Sequence, residues 1–117
     1  MSPKVYAHTF ARICDPADTG MNGLLAVEDE VPVGMVHFIL HDHCWQMNKV
    51  VYLQDLFTRR DMRGRGVARA LIKAVYDAGD ELGCPKVYWL TQEYNFQARE
   101  LYDQVGELTP FIRYNRP

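Results

Sequence analysis

The sequence predicts one α/β domain in which a mixed, mostly antiparallel sheet is flanked by helices. Three observations support this fold class. Residues 24–41 read as two short strands around a turn, which is typical of a β-hairpin. Residues 50–58 form a near-continuous apolar strand, and residues 67–82 repeat apolar side chains at helical spacing. A further strand at residues 86–91 would complete a strand, helix, strand unit, which implies a parallel right-handed crossover.

The hairpin is predicted to consist of strands at residues 24–28 and 33–41, joined by a turn at residues 29–32. A polar loop follows over residues 41–48. The next strand, residues 50–58, is apolar enough to predict cover on both of its faces. These segments supply three strands of the sheet.

Asp55 is the acid inside that apolar strand, and we expect it to be buried. A buried carboxylate has either a chemical role or a structural one, in which backbone amides or Tyr52 satisfy it. Both interpretations are open at this point.

The first predicted helix, residues 67–82, is amphipathic and is followed by clear stop signals. Gly83 is suited to the position after the last helical turn, and Pro85 prevents the helix from continuing. The strand at residues 86–91 comes directly afterwards.

A second helix and a last strand complete the predicted pattern. Asn95 is a residue type that commonly caps a helix N-terminus, and Gly106 marks the end of this helix. Its buried side is predicted to contain Ala98, Leu101, Tyr102 and Val105. The remaining apolar residues at 107–114 predict a final strand.

The clearest functional signal is the segment at residues 63–68, with the sequence RGRGVA, between the apolar strand and the first helix. Gly64 and Gly66 lack the side chains that would hold a bulky anion away from the backbone. The helix start adds unpaired N–H groups and the positive end of its dipole. Five arginines surround the segment in a chain of formal charge -2: Arg59, Arg60, Arg63, Arg65 and Arg69. The segment therefore predicts a phosphate-binding loop.

Other interpretations of this loop fit the residues less well. A dinucleotide fingerprint needs a third glycine where Arg69 stands, and a Walker loop needs a Gly-Lys-Ser or Gly-Lys-Thr ending that the sequence lacks. Nucleic-acid binding is disfavoured because the segment does not repeat and the chain is acidic overall. A glycine turn with a solvated basic rim is the structural alternative.

Three motifs in a fixed order carry a resemblance to a known superfamily. The 63–68 segment resembles the Arg/Gln-x-x-Gly-x-Gly/Ala signature of the GNAT N-acetyltransferases. Residues 52–58 before it, and residues 95–102 followed by Gly106 after it, resemble two other elements of that superfamily, so the resemblance covers residues 23–117. The chain is most similar to the small polyamine, D-amino-acid and histone acetyltransferases.

The resemblance implies a single domain, residues 1–117, with the GNAT acyl-CoA N-acyltransferase fold shortened at its N-terminus. Residues 1–22 would be a remnant of the N-terminal elements and would supply at most a short helix or loop. An apolar sheet face left uncovered in this way invites association. Either the chain is a shortened form or a gene fragment, or a partner subunit covers the exposed sheet. We expect a homodimer.

The resemblance also implies where acetyl-CoA binds. The backbone of the strand end would hold the pantetheine arm like an added strand, and the amides of residues 64–69 would receive the pyrophosphate. Asn95 would bond the pantetheine region, and Tyr102 would stand near the sulfur. The implied acetyl-CoA set is Leu56, Phe57, Thr58, Arg63, Gly64, Arg65, Gly66, Val67, Ala68, Arg69, Asn95 and Tyr102.

Acetyl transfer to an amine needs an acceptor for the proton of the amine and an acid for the departing thiolate. The resemblance makes Tyr102 the acid, and the reference pKa of tyrosine, about 10, is close to that of a thiol. From its spacing alone, Tyr102 would be a core aromatic of the helix. The base is less defined, because the polyamine branch has a glutamate where this chain has Gln54. Asp55 and Glu93 are the candidate carboxylates, with a solvated loop acid as the alternative for Glu93 and a water chain as the alternative to both.

Composition limits the remaining possibilities. A chain of 117 residues with 48% hydrophobic and 24% charged content fits one globular domain. The sequence has no apolar run long enough to span a bilayer and no signal-peptide pattern, so we expect a cytoplasmic location and neither a membrane nor a nucleic-acid partner. Cys14, Cys44 and Cys84 are odd in number and suit free thiols in a reducing compartment.

Residues 41–44, with the sequence HDHC, do not predict a metal site. Adjacent side chains in a tight loop point in different directions, and no second ligand cluster follows at a zinc-like spacing. We expect this loop to rim the acceptor pocket. Trp45 and Tyr94 are candidate lining residues, or else aromatic cover for the core.

These observations predict an acetyl-CoA-dependent N-acetyltransferase that acetylates a primary amine by direct transfer in a ternary complex, without a metal. A small amine, polyamine or amino acid is the first choice of acceptor, and a protein lysine or N-terminus is the second. A non-catalytic CoA-binding regulatory or assembly module is the alternative class, favoured by Gln54 and by the short N-terminus.

Overall fold

A computed structural model describes residues 20–117, which form a four-stranded sheet packed against helices. In chain order and in order across the sheet, the strands are β1 (Met21–Glu28), β2 (Val31–His41), β3 (Val50–Thr58) and β4 (Val87–Tyr88). The helical elements are a 3-10 turn (Arg60–Met62), α1 (Val67–Glu81) and α2 (Phe96–Val105). The first three strands are antiparallel and β4 is parallel to β3, so the predicted mixed sheet and its parallel crossover are confirmed.

The predicted hairpin forms, with a tighter turn and longer strands than expected. Glu28 pairs with Val31, which leaves only Asp29 and Glu30 in the turn. Their φ angles of 51° and 67° match a two-residue turn whose twist suits antiparallel strands. At its other end the hairpin begins at Met21, which lies before the predicted start at residue 24.

The core lies between α1 and one face of the sheet. Its most deeply buried side chains are Val36, Val51, Ile72 and Val75, from β2, β3 and α1. Burying an aliphatic side chain of this size stabilises a fold by roughly 1.5–3 kcal/mol. The packing fixes α1, and with it the loop that precedes α1, relative to the end of β3.

The prediction that β3 is covered on both faces, and that Asp55 is buried, is wrong. The ladder between β2 and β3 pairs His37 with Asp55 but Phe38 with Leu53, so Gln54 is the extra residue of a β-bulge. Phe38 and Leu53 remain in the core. The carboxylate of Asp55 lies outside the core and is 63% exposed.

The predicted first helix is confirmed, and Gly83 follows it in the left-handed conformation with a φ of 72°. The strand predicted at residues 86–91 is shorter in the structure, because β4 pairs with β3 only through Val87 and Tyr88. Beyond Tyr88 the chain leaves the sheet, so the space between β3 and this segment opens.

The final strand predicted over residues 107–114 does not form. Residues 107–117 contain no regular element, and no backbone hydrogen bond joins them to another part of residues 20–117. A strand needs a neighbouring edge to satisfy its N–H and C=O groups, and within the described chain this segment does not pair with one. Its apolar side chains are exposed in consequence.

Predictions for residues 1–19, including a short helix or loop and the free thiol of Cys14, lie outside the described residues. Cys44 and Cys84 are free, the first exposed and the second buried. Between residues 20 and 117, neither helix is long and apolar enough to cross a membrane.

Candidate active site

A cleft of about 690 Å³ lies where the end of β3, the loop before α1, and α2 meet. Of the implied acetyl-CoA set, every residue except Arg65 lines it: Leu56, Phe57, Thr58, Arg63, Gly64, Gly66, Val67, Ala68, Arg69, Asn95 and Tyr102. These residues come from three segments that are separate in the sequence. The fold therefore brings the predicted strand, loop and helix positions to one place.

The glycines of the loop have the backbone conformation that the phosphate-binding interpretation requires. Gly64 and Gly66 have φ angles of 80° and 82°, a region that favours glycine. Gly66 caps α1 without a side-chain bond to the first helical turn, so amides of that turn are available to a ligand. Within residues 20–117, and apart from the adjoining residues, no atom lies within 4 Å of the place where a Cβ on either glycine would stand, so the space in front of the backbone is open.

Only two of the five arginines around the loop line the cleft. Arg63 and Arg69 do so, and Arg69 also donates a hydrogen bond to Gln104 of α2, across the cleft. Arg65 is directed elsewhere: its Nη1 lies 3.3 Å from the sulfur of Met62, and its Nη2 lies 3.7 Å from a carboxylate oxygen of Glu28. The positive charge of the cleft therefore comes from Arg63 and Arg69.

A fourth arginine, Arg59, is held by a neighbouring acid. Its Nε donates to a carboxylate oxygen of Asp61 at 2.9 Å. This hydrogen bond lowers the pKa of Asp61 and raises the pKa of Arg59. Arg59 is thus partly neutralised and does not line the cleft.

Tyr102 is half-buried on α2, where its ring packs edge-on against Trp89 with 5.5 Å between the ring centroids. Burial raises the pKa of the Tyr102 hydroxyl above its ordinary value, so the group is protonated at neutral pH. Tyr102 lines the cleft, and its hydroxyl makes no hydrogen bond to another of residues 20–117. It is available as a proton donor to a molecule bound there.

Asn95 caps α2 as predicted, because its side-chain oxygen accepts a hydrogen bond from the amide of Ala98 at 3.4 Å. The side-chain NH₂ group has no such bond to another described residue. Asn95 lines the cleft, so one side chain can cap the helix and donate to a ligand.

The two carboxylates predicted as bases do not line the cleft. Asp55 lies 3.3 Å from Nδ1 of His37, across the β2 and β3 ladder. Glu93 is an exposed loop residue, and its backbone oxygen accepts a hydrogen bond from Arg99 at 2.7 Å. Neither position brings an acid directly to the wall that holds Tyr102.

Helix α2 carries a polar stripe that was not predicted from the sequence. Gln97, Glu100 and Gln104 line the cleft beside Tyr102. Their spacing of three and four residues places them on one helix face. The signal was present, since polar residues at this spacing flank Leu101 and Tyr102, but it is the same pattern as an ordinary solvated helix face.

Residues 41–44 contact their neighbours in sequence and also β4, because Nε2 of His41 lies 2.8 Å from the hydroxyl oxygen of Tyr88. Nδ1 of His41 lies 2.8 Å from the backbone oxygen of Asp42, and the amide of Trp45 donates to His43. Within residues 20–117, no three His, Cys, Asp or Glu side chains are grouped to hold a metal ion. Trp45 and Tyr94 are exposed and do not line the cleft, so their place in an acceptor pocket stays a prediction.

Comparison with known proteins gives consistent matches. A family model described as "Acetyltransferase (GNAT) family" matches residues 3–106. The D-amino-acid N-acetyltransferase of Saccharomyces cerevisiae is 41% identical over 118 residues, which cover 99% of this chain and 73% of the yeast protein. The thialysine N-epsilon-acetyltransferase of Caenorhabditis elegans is 29% identical over 91 residues, covering 78% of this chain and 56% of the worm protein.

A solved structure of an aminoglycoside N-acetyltransferase in complex with CoA superposes with a TM-score of 0.74 at 24% identity. The alignment covers 98% of this chain and 92% of that one. At this level of identity the similarity establishes the fold, and it agrees with the sheet order and crossover described above.

Proposed function

Because the chain belongs to the acetyltransferase (GNAT) family, we propose that it transfers the acetyl group of acetyl-CoA to the amine of a small molecule. The observation that carries this proposal is the cleft in which the strand end, the glycine loop and α2 converge. Each of the three segments offers a group of the type that one part of acetyl-CoA needs.

Phosphates would bind at the loop. The left-handed glycines Gly64 and Gly66 leave open space in front of the amides that follow them, and Arg63 and Arg69 add positive charge. A pyrophosphate there would accept hydrogen bonds from the backbone and from guanidinium groups. Arg65, which is paired with Glu28, would contribute through its backbone only.

The pantetheine arm would lie along the end of β3. Leu56, Phe57 and Thr58 line the cleft, and an extended amide-containing chain can pair with a strand end as an added strand does. Asn95 stands on the same cleft, where its NH₂ group can donate to an amide oxygen of the arm. This orientation directs the thioester toward Tyr102.

Tyr102 would protonate the thiolate that leaves when the amine attacks the acetyl carbonyl. The hydroxyl is protonated at neutral pH because burial raises its pKa, and it has no competing partner among the described residues. An oriented acid of this kind typically contributes 10²-fold to 10⁴-fold to a rate. We therefore assign Tyr102 as the general acid.

The amine would lose its proton through water. Asp55 and Glu93 do not line the cleft, so either acid could receive the proton only by way of solvent. Asp55 has His37 beside it, which could pass the proton onward. No single residue then has to act as a direct base, which agrees with the presence of Gln54 where a glutamate was expected.

The acceptor that we favour is a small amine, such as an amino acid or a polyamine. The relatives described above are named for D-amino acids and thialysine, which are small amines. A non-catalytic CoA-binding module is the second candidate. The exposed Gln54 and the distance of both acids from the cleft favour it.

We also propose a cytoplasmic homodimer that requires neither a metal nor a nucleic acid. The free thiols of Cys44 and Cys84 suit a reducing compartment, and a formal charge of -2 disfavours a nucleic-acid partner. Exposed apolar side chains on the sheet and near its β4 edge favour self-association.

A steady-state assay of thiol release from acetyl-CoA tests the proposed activity. The panel should contain D- and L-amino acids, diamines and polyamines, and a lysine-containing peptide, with Tyr102→Phe as the comparison variant. We expect turnover with at least one small amine and a large loss in Tyr102→Phe. Tight acetyl-CoA binding without turnover on any amine would favour the non-catalytic module.

A further inference from the structure

The side chain of Arg69 is held by a neutral partner. Arg69 lies in the first turn of α1, and its Nη2 donates a hydrogen bond to Oε1 of Gln104 on α2. Both residues line the cleft proposed to bind acetyl-CoA. Within residues 20–117, Arg69 makes no ion pair with an acid. The contact therefore orients the guanidinium and leaves its positive charge uncompensated.

Three other arginines near the loop lack this combination. Arg59 and Arg65 each have a carboxylate partner, with 2.9 Å and 3.7 Å between nitrogen and oxygen. A carboxylate partner reduces the positive charge that a guanidinium offers to a phosphate. Arg63 lines the cleft, but its side chain makes no hydrogen bond or ion pair to another of residues 20–117. Of these four arginines, Arg69 alone is both oriented and uncompensated within the described chain.

A phosphate binds better to an arginine that is already oriented. A mobile arginine side chain loses rotamer freedom when it binds an anion, and this loss weakens binding. The hydrogen bond to Gln104 restricts Arg69 before the ligand binds. The bond is made through Nη2, so Nη1 and Nε keep N–H groups that can donate to phosphate oxygens.

The residue type at position 104 determines the charge of this contact. Glu100 lies one helix turn earlier on α2 and also lines the cleft, but its carboxylate makes no ion pair with Arg69. The group that α2 presents to the guanidinium is therefore an amide. A glutamate in place of Gln104 would have nearly the same size, would compensate the guanidinium and would repel a phosphate.

We propose that Gln104 is a positioning residue for acetyl-CoA, which orients Arg69 for the phosphate groups without neutralising it. The inference rests on the proposed function, because it assumes that acetyl-CoA binds in this cleft. Gln104 acts through Arg69 and needs no contact with the thioester. Changes at Gln104 should therefore alter the binding of donors that carry phosphates, and leave the acetyl-transfer step unaffected.

A role in helix packing alone would give a different result. The Arg69 to Gln104 contact joins α1 to α2, but so does the hydrogen bond from the Tyr76 hydroxyl to the backbone oxygen of Val105, at 2.7 Å. Tyr76 and Val105 do not line the cleft. Tyr76→Phe is therefore the matched control, because it removes a bond between the same two helices and leaves Arg69 in place.

Kinetics of the full chain with two acetyl donors, acetyl-CoA and S-acetyl-pantetheine, test the proposal, together with titration calorimetry of acetyl-CoA. S-acetyl-pantetheine has the thioester but no phosphate. We expect Gln104→Met to raise the dissociation constant and KM of acetyl-CoA by roughly fivefold, and Gln104→Glu by roughly tenfold. Neither variant should change kcat, or kcat/KM for S-acetyl-pantetheine. Tyr76→Phe should leave all of these quantities unchanged, and thermal midpoints verify that each variant folds.

A double-mutant cycle tests whether Gln104 acts through Arg69. Arg69→Ala should raise the dissociation constant of acetyl-CoA by roughly 20-fold, and Gln104→Met should add less than about twofold in that background. Additive losses, an equal loss with S-acetyl-pantetheine, or an unchanged dissociation constant in Gln104→Glu would contradict the positioning role and leave the proposed function intact. Absence of acetyl-CoA binding to the unaltered chain would contradict both.

Discussion

The two clefts of this molecule differ in how much of their structure one chain completes. In the cleft proposed to bind acetyl-CoA, called here the acetyl-CoA cleft, residues of the loop before α1, the end of β3 and α2 form the wall within a single copy. In a second cleft, beside β4, residues 87–90 lie on one wall and Leu108, Thr109 and Phe111 on the other, and within residues 20–117 the two walls form no ladder. A loop that needs only its own backbone and a packed helix forms locally, whereas a strand needs an edge that another part of the chain has to supply.

This difference predicts a separation of effects. Substitutions in the acetyl-CoA cleft should change binding or turnover and leave association unaffected. Substitutions at residues 107–117 should leave acetyl-CoA binding unchanged, because these residues do not line that cleft. The predictions that follow test the acetyl-CoA side of this comparison, each with a control elsewhere in the fold.

The largest effect is expected for Tyr102→Phe. Removing the hydroxyl should lower kcat by roughly 100-fold, because an oriented general acid is lost. The dissociation constant of acetyl-CoA should change by less than about threefold, because the ring that packs on Trp89 is retained. Steady-state kinetics and titration calorimetry measure the two quantities.

The control is Tyr76→Phe, another tyrosine whose pKa burial raises. Its hydroxyl donates to the backbone oxygen of Val105 at 2.7 Å and joins α1 to α2. This variant should lose about 1 kcal/mol of unfolding free energy and keep its kcat. Equal kcat losses in both variants would mean that Tyr102 acts through packing.

The second effect concerns Gly66→Val at the phosphate loop. A branched side chain at a φ of 82° strains the backbone and fills the space in front of the amides. We expect the dissociation constant of acetyl-CoA to rise by roughly 30-fold, about 2 kcal/mol. Titration calorimetry measures it.

Gly83→Val supplies the matched control for that loop. Gly83 has a similar φ of 72° and equally open surroundings, but it follows the other end of α1, away from the cleft. Both variants should lose similar thermal stability, and only Gly66→Val should lose affinity. A comparable affinity loss in Gly83→Val would show that the loop effect is general destabilisation.

A smaller effect on acetyl-CoA affinity should distinguish Arg63 from Arg65. Arg63 lines the cleft, whereas the side chain of Arg65 pairs with Glu28. Arg63→Ala should weaken acetyl-CoA binding by roughly tenfold at low salt, since it removes a charge-assisted contact to phosphate. Arg65→Ala should weaken it by less than about twofold. Calorimetry at two salt concentrations measures both, and a larger effect of Arg65→Ala would contradict this placement of the side chains.

The smallest expected effect is the dependence of kcat on pH through the protonation of Tyr102. A general acid works while it is protonated, and burial raises the pKa of Tyr102 above its ordinary value of about 10. The loss of activity by deprotonation should therefore begin above that pH. With saturating substrates, kcat should show no falling limb between pH 7 and about 9.5. A decline inside this range would assign the acid to a different group.

The part of the site predicted from sequence is the part determined by local structure. Glycines in the left-handed region, an apolar repeat at helical spacing and the Asn95 cap each depend on a few neighbouring residues. These signals predicted α1 and α2, and residues of both helices line the same cleft. The resemblance supplied the order in which the segments meet.

The wrong predictions concern features of the sheet that depend on contacts between residues distant in sequence. The bulge at Gln54 shifts the β2 and β3 register and moves Asp55 out of the core, and nothing within β3 encodes this shift. The strand propensity of residues 107–114 is likewise real, but no edge within the described chain accepts it. Pairing, unlike periodicity, depends on the partner strand.

Titration calorimetry of the full chain with acetyl-CoA tests the central claim most directly. The proposed function places acetyl-CoA in a cleft formed within one copy, so we predict saturable binding with a dissociation constant on the order of 10 µM, about -7 kcal/mol. The same affinity should be found in the variant Phe111→Ser with Tyr114→Ser, because neither residue lines the cleft. No detectable binding up to millimolar acetyl-CoA would contradict the assignment of this cleft and of the function built on it.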